Sequence, residues 1–177
     1  MEKTGDRVSW KAKWRIDKFH DSDNRIAEAL QEGGTIEDFV QQRFAVEHVD
    51  GNIALNEGLQ ELIDITIGAG TPTKWDNANA RLGVGDSNAA ESASQTGLQA
   101  ASNKTFKAMD ATYPQRSNQT AEWRATFGSS DANYAWEEYT VVNAASDTGK
   151  NLNRKTASKG TKASGESWVL SLQITFS

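Results

Sequence analysis

The chain of 177 residues has no cysteine, two prolines and two histidines. Without cysteine it can form neither a disulfide framework nor a thiolate metal site, so its stability must come from packing or assembly. The histidines, His20 and His48, are far apart in sequence and fit neither an H-x-x-x-H nor an H-E-x-x-H spacing. The usual histidine signatures of a metal enzyme are therefore missing.

Positive charge and long apolar runs are also scarce. The formal net charge is -5 and the pI is about 5.1, so the chain carries no basic footprint for nucleic acid and no general attraction to an anionic membrane. No apolar run reaches the length of a membrane-spanning helix, and charges recur throughout Met1 to Lys18. We expect a soluble protein, made without a cleaved secretion signal, with neither nucleic acid nor membrane as a partner.

Both ends of the chain alternate strictly between apolar and polar residues. Toward the C-terminus the apolar positions are Trp168, Leu170, Leu172, Ile174 and Phe176; toward the N-terminus they are Val8, Trp10, Ala12, Trp14 and Ile16. A period of two places these side chains on one face of an extended strand. The pattern predicts two long, half-buried strands that belong to one sheet system.

Two segments are predicted to be helical. A short acidic helix is expected at about 22–32, where Asp21, Ser22 and Asp23 offer N-cap chemistry and Gly33 ends the run. A longer amphipathic helix is expected at about 53–67, with one apolar face made of Leu55, Leu59, Leu62, Ile63 and Ile67. Gly58 inside it indicates either close approach of a neighbouring backbone or a helix stabilised by packing alone.

The rest of the chain predicts a mainly β fold. Short apolar runs at 80–84, 105–109, 121–127, 134–142 and 152–154 are separated by turn residues. Many short strands favour an antiparallel β-sandwich or jelly-roll-like architecture, with the amphipathic helix on one side or end. We expect one domain over residues 1–177, with a surface insertion at 21–42 and a long excursion at 89–103 anchored by Leu98.

Three groups of residues invite a chemical interpretation, and each has a plainer one. His20 to Asp23 contain possible metal ligands, but these residue types favour a turn that caps the next helix. Gly83 to Ser87 contain two glycines, but lack the lysine and third glycine of a phosphate loop, so a tight turn is expected. Glu137 and Glu138 adjoin Trp136 and Tyr139, but neighbouring residues of a strand point to opposite faces and cannot flank one glycosidic bond.

The sequence therefore nominates no catalytic, cofactor-binding or metal-ligating residue, and we expect a protein that is not an enzyme. The distribution of charged residues along the chain is uneven. Basic residues line the first strand (Lys11, Lys13, Arg15) and recur in the last third (Lys150, Arg154, Lys155, Lys159, Lys162), whereas residues 21–64 are acidic. Opposite charges of this kind suit docking between subunits of an oligomer, or simply keep strands soluble and unpaired.

Several motifs, in this order, resemble those of structural proteins of tailed bacteriophages. They are NIALNEGLQELIDITI at 52–67, ARLGVGDS at 80–87, AEWRATFGSSDANYAWEEYTVVN at 121–143, LNRK at 152–155 and GTK at 160–162. The resemblance spans 52–177 and is similar to β-sandwich modules of tail fibres and capsid decoration proteins.

The resemblance implies a non-enzymatic virion protein, synthesised in the host cytoplasm. Its leading form is a capsid decoration (cement) protein that bridges major capsid subunits as a homo-oligomer, for example a trimer. The alternative is a tail or baseplate component, such as a fibre-attachment or receptor-binding module, with tail proteins as partners. The terminal strands are also expected to be able to complete a partner's sheet by edge addition.

Overall fold

A computed structural model describes residues 9–177 of the chain. Over these residues the strands are β1 (Trp10–His20), β2 (Arg43–Asp50), β3 (Ile53–Ala54), β4 (Arg81–Gly85), β5 (Lys104–Ala108), β6 (Gln115–Ser117), β7 (Thr120–Phe127), β8 (Glu138–Val142), β9 (Asn153–Thr156) and β10 (Glu166–Phe176). The helices are α1 (Arg25–Gln31) and α2 (Asn56–Ile67), with a 3₁₀ helix at Ile36–Phe39.

The strands form two antiparallel sheets of five strands each. The first sheet has the order β2-β1-β10-β7-β6, and the second sheet has the order β3-β9-β8-β4-β5. One apolar core draws its side chains from both sheets. The prediction of a mainly β fold of the sandwich type is confirmed.

The two terminal strands lie side by side in the first sheet. β1 pairs with β10 along its whole length, from Trp10 opposite Phe176 to His20 opposite Glu166. This confirms that both ends share one sheet; Val8, predicted to continue the first strand, lies outside the described residues. However, β1 is flanked by β2 and β10, and β10 by β1 and β7. Neither terminal strand has a free edge, so the expectation that they complete a partner's sheet is wrong.

Aromatic side chains fill the space between the sheets. Trp14 is 1% exposed and Trp168 2% exposed, while Trp136 and Tyr139 are fully buried. The rings of Trp136 and Trp168 meet edge to face, with their centroids 4.9 Å apart. The alternating pattern of the terminal strands therefore identified the core-facing side of the first sheet correctly.

Residues 21–42 cover part of the outer face of the first sheet. Ile26, Leu30 and Ile36 pack there against Phe19 and Val169 and form a second apolar cluster. The predicted acidic helix is present, though shorter than expected. The predicted surface insertion thus buries one end of the sheet's outer face.

Helix α2 begins three residues later than predicted, because Ile53 and Ala54 pair with β9 as a short strand. It ends where Gly68 adopts a left-handed conformation with φ of 69°. Gly58 faces inward: a Cβ there would lie 2.5 Å from the Leu152 Cα and 2.6 Å from the Asn151 carbonyl oxygen. Of the two interpretations of Gly58, close approach of a neighbouring backbone is the one confirmed.

Candidate interaction surfaces

The carboxylate next to Trp136 and Tyr139 belongs to a buried ion pair. Glu138 accepts a hydrogen bond of 2.8 Å from the Arg154 Nε, and both side chains are fully buried. It also accepts hydrogen bonds from the backbone amides of Gln99, at 2.8 Å, and Ala100, at 2.7 Å. Glu137 instead accepts a hydrogen bond from the Ser158 hydroxyl. With its lone pairs taken up by these donors, Glu138 has a structural role.

The same ion pair holds the long excursion at 89–103 against the second sheet. Arg154 Nη1 donates to the carbonyl oxygen of Ala89, at 3.0 Å, and to Gln95 Oε1, at 3.1 Å. Leu98, predicted to anchor this excursion, is 3% exposed. A segment without regular secondary structure is therefore fixed by charge-assisted hydrogen bonds at both of its ends.

A second buried ion pair joins the first sheet to its cover. Arg124 Nε donates to Asp110 at 2.8 Å, and Arg124 Nη2 donates to the carbonyl oxygens of Leu30 and Gly34. Asp110 also accepts hydrogen bonds from the backbone amide and the hydroxyl of Thr126. Burial raises the pKa of Asp110, although Arg124 and these donors oppose the rise.

The basic cluster predicted in the last third of the chain does not form a surface. Arg154 and Lys162 are buried. Lys155 pairs with Glu91 at 3.4 Å, and Lys159 pairs with Glu47 at 3.3 Å. Lys150 is exposed, but the other four basic side chains meet carboxylates or carbonyl oxygens within the chain, so the predicted basic cluster is wrong as a surface feature.

Lys162 is a buried lysine whose ammonium group contacts only neutral oxygen atoms at hydrogen-bonding distance. Its Nζ donates to the Gly128 carbonyl oxygen, at 2.7 Å, and to Asn133 Oδ1, at 2.8 Å. Burial lowers the pKa of Lys162 from 10.5 to about 8, since the charged form loses hydration. The side chain ties the β7–β8 connection to the segment that precedes β10.

The segment that contains His20 caps a helix, as its plainer interpretation predicted. The carboxylate oxygens of Asp21 accept hydrogen bonds of 3.0 Å from the backbone amides of Ile26 and Ala27. The Ser167 hydroxyl also donates to Asp21. Within residues 9–177 no group of three or more histidine or carboxylate side chains is placed to hold a metal ion.

Gly83 and Gly85 lie within strand β4, so the predicted tight turn at 83–87 is wrong for its first half. The Phe106 ring and the Thr140 methyl group occupy the space that a Cβ at Gly83 would need. The Glu138 carboxylate does the same at Gly85. The glycine pair therefore makes room for neighbouring side chains and is not arranged as a phosphate loop.

A mixed-charge cleft of about 370 Å³ crosses the uncovered part of the first sheet's outer face. Its charged and aromatic lining residues are Lys13, Trp14, Arg15, Glu37, His48, Tyr113, Glu122 and Arg124. Arg15 is paired with Asp17 at 2.7 Å, and Arg124 with Asp110. Lys11 and Lys13 are exposed. The basic row predicted on β1 is thus present, but the cleft contains both signs of charge and selects no class of ligand.

Helix α2 presents apolar side chains outward. Leu59 is 39% exposed, Ile63 58% and Ile67 70%. These three residues, spaced four apart along one side of the helix, are called the α2 stripe. Leu55 is buried and Leu62 packs against the core, so the predicted apolar face is inward only in part.

Polar contacts explain why the α2 stripe is turned away from the core. Glu57 accepts a hydrogen bond of 2.8 Å from the backbone amide of Asn151. Glu61 accepts hydrogen bonds from the Thr73 amide, at 2.6 Å, and from Asn143 Nδ2, at 3.2 Å. These carboxylates and Gly58 fix the inward side of the helix. The sequence contained these residues, but the choice of face depended on what lies opposite them.

The free edge of β2 is the second surface that sequence analysis did not identify. β2 is an edge strand of the first sheet, and its residues alternate between half-buried and exposed. Phe44 is 44% exposed and Val46 37% exposed. The ring of Phe44 stacks on His20 with a centroid separation of 4.4 Å. The outer side chains and unpaired backbone of this strand are called the β2 edge.

Comparison with known proteins gives no match: no family model, no curated protein and no solved structure is significantly similar to the chain. Among residues 9–177, no helix is both long enough and apolar enough to cross a membrane. The α2 stripe and the β2 edge are therefore the surfaces that bear on function.

Proposed function

We propose that the protein is a non-enzymatic structural protein of a tailed-bacteriophage particle, in which it decorates the capsid by bridging neighbouring major capsid subunits. The observation that carries this proposal is the α2 stripe. Single exposed apolar residues are common on protein surfaces, but an aligned group on a fixed helix is typical of a protein-binding site. The phage context comes from the sequence resemblance at 52–177.

The rest of the structure supports a role in assembly. The buried pairs of Glu138 with Arg154 and Asp110 with Arg124 tie long irregular segments to the sheets. Such connections favour a rigid module that presents fixed surfaces to its partners. Rigidity lowers the conformational entropy lost on binding, which benefits a protein that attaches to a repeating lattice.

The size of the stripe also favours multivalent attachment. Full burial of one large aliphatic side chain contributes ~1.5–3 kcal/mol, so three such residues alone give only weak binding once the cost of association is subtracted. An oligomer that places several stripes on adjacent capsid subunits gains affinity through effective concentration. A homo-oligomeric decoration protein is consistent with this arithmetic.

The copy number per purified virion tests the proposed location. Quantitative mass spectrometry against the major capsid protein should give a number of copies comparable with that of the capsid subunit. A handful of copies per particle would favour the alternative, a tail or baseplate component. Absence from the virion would overturn the structural role altogether.

A binding experiment tests the α2 stripe itself. Ile63→Gln should reduce attachment to purified shells that lack the protein, because it removes the centre of the stripe. Gln60→Ala, at an exposed polar position of the same helix, is the matched control and should attach like the wild type. Equal attachment of all three proteins would show that the stripe does not bind the shell.

A further inference from the structure

We propose that Lys162 and Asn133 react with each other after folding to form an intramolecular isopeptide bond. The lysine amine attacks the side-chain amide carbon of the asparagine, and ammonia leaves. The bond joins the loop that follows β7 to the segment that precedes β10. The proposal rests on contacts within the chain and does not depend on the proposed role in a virion.

The two side chains are already in contact. The Lys162 Nζ donates a hydrogen bond of 2.8 Å to the Asn133 Oδ1 and another of 2.7 Å to the Gly128 carbonyl oxygen. Lys162 is 1% exposed, so these two acceptors hold its amine in place. Because Oδ1 is bonded directly to the amide carbon, the amine lies near the separation of ~3–3.5 Å at which two reacting atoms are poised for attack.

Burial also makes the amine a better nucleophile, because only the neutral form of a lysine can attack a carbonyl carbon. Loss of hydration lowers the pKa of Lys162 to about 8. The nearby charges act more weakly: the pKa is raised by Asp131, Glu166 and Asp21 and lowered by Lys107. Part of the population is therefore neutral near physiological pH, and the neutral fraction grows at alkaline pH.

The loop that carries Asn133 is held in an unusual backbone conformation. Ala132 has a φ of 49°, in the left-handed region that residues other than glycine rarely adopt. The Trp136 Nε1 donates to the Ala132 carbonyl oxygen at 3.0 Å. The Asp131 carboxylate is paired with Lys107 at 2.5 Å. Strained residues persist where the surrounding structure fixes them, and they cluster at functional sites. These contacts present the Asn133 amide to the lysine amine.

The reaction balances without an oxidant or a second reactant. The Lys162 Nζ forms a bond to the Asn133 Cγ, and the bond between Cγ and Nδ2 breaks. The proton that the amine loses passes to Nδ2, which leaves as ammonia. Asn133 is exposed, and its Nδ2 donates to the Ser129 carbonyl oxygen at 3.0 Å. The ammonia therefore has a path to water.

An isopeptide bond suits a chain without cysteine. It closes a loop between residues 133 and 162, which lie 29 apart in the sequence. A covalent link across such a loop restricts the unfolded chain and stabilises the fold as a disulfide does. Linkage also consumes the amine, so Lys162 titrates only in chains that have not yet linked.

Intact-mass spectrometry of the full chain tests the proposal. Wild-type protein, incubated at a pH above the pKa of Lys162, should lose the mass of one ammonia molecule per chain. Tryptic digestion should then give a branched peptide in which residues 133 and 162 are linked. A wild type that keeps its full mass after several days of incubation would overturn the proposal.

Variants separate this bond from other losses of ammonia. Asn133→Ala removes the amide carbon that is attacked, and Lys162→Met removes the amine, so both should keep their full mass. Asn133 is exposed, so its variant is expected to fold, and circular dichroism verifies the folding of both. Asn88→Ala, at another exposed asparagine, is the matched control and should lose ammonia like the wild type. Ammonia loss that persists in Lys162→Met, or disappears in Asn88→Ala, would come from a different asparagine reaction and would contradict the proposed bond.

Discussion

The first sheet and helix α2 sort their side chains in opposite ways. In the first sheet the largest apolar residues face inward, and Trp14 and Trp168 are almost fully buried. In α2 the carboxylates of Glu57 and Glu61 face the body of the protein, while Ile63 and Ile67 face outward. An apolar pattern therefore predicts burial only where the opposing surface is itself apolar.

The surface opposite the first sheet is apolar, whereas the surface opposite α2 contains polar backbone groups. The inner face of the first sheet meets Leu82, Trp136 and other apolar side chains of the same core. The inner side of α2 meets backbone groups around Asn151 and Leu152, which require hydrogen bonds. Carboxylates and a glycine fit that surface better than isoleucine would.

The largest effect is expected at the core-facing tryptophans. Trp14→Ala or Trp168→Ala should lower the free energy of unfolding by ~3–5 kcal/mol, because each change leaves a large cavity between the sheets. Chemical denaturation of the purified variants measures this loss. Wild-type stability of both variants would mean that the inner face of the first sheet has been assigned wrongly.

A loss of similar size is expected in the polar interior of the second sheet. Arg154→Met leaves the buried Glu138 carboxylate without its counter-charge, which typically costs ~3–5 kcal/mol. Denaturant unfolding should show the loss, and limited proteolysis should show new cleavage within residues 89–103, which Arg154 helps to hold. Lys11→Met, at an exposed position, should change neither. An unchanged proteolysis pattern would show that the ion pair does not hold residues 89–103 in place.

A smaller effect is expected on the inward side of α2. Gly58→Ala should destabilise the fold, because the new Cβ would lie 2.5 Å from the Leu152 Cα and overpacking of this kind costs up to ~3 kcal/mol, against a gain of ~1 kcal/mol in helix propensity. Gln60→Ala, on the exposed side of the same helix, should be neutral or slightly stabilising. If Gly58→Ala stabilised the protein, the close contact between helix and strand would be contradicted.

Lys162 should make stability depend on alkaline pH. Its pKa is lowered to about 8, so between this value and 10.5 the unfolded chain binds more protons than the folded one. Stability should therefore rise with pH in this window, until tyrosines begin to ionise near pH ~10. Lys162→Met should flatten the rise measured by urea unfolding at several pH values. If the stability of Lys162→Met rose with pH at the same slope, another titrating group would be responsible for the rise.

The smallest effect on stability is expected at the α2 stripe. Ile63→Gln should change the free energy of unfolding by no more than ~0.5 kcal/mol, because the side chain is 58% exposed. Thermal unfolding measures this directly. A substantial loss of unfolding free energy would show that Ile63 packs within the chain. The contrast between α2 and the first sheet would then be contradicted.

Sequence analysis located most strands to within a few residues. The predicted runs at 80–84, 105–109 and 121–127 correspond to β4, β5 and β7. It missed β3 and β6, which are too short to display a period of two. It also treated Arg154 and Lys162 as surface charges, because residue type alone favours exposure for basic side chains. Their carboxylate and carbonyl partners lie far along the chain, and only folding brings them together.

The sequence by itself determined the terminal strands, their core-facing side and the mainly β architecture. It could do so because an extended backbone places alternate residues on opposite faces whatever lies next to it. Only the tertiary structure decided that β1 and β10 lie inside their sheet, that β2 keeps a free edge, and that the α2 stripe faces outward. These outcomes depend on which backbone and side-chain groups meet across the fold, and a local pattern along the chain does not contain that information.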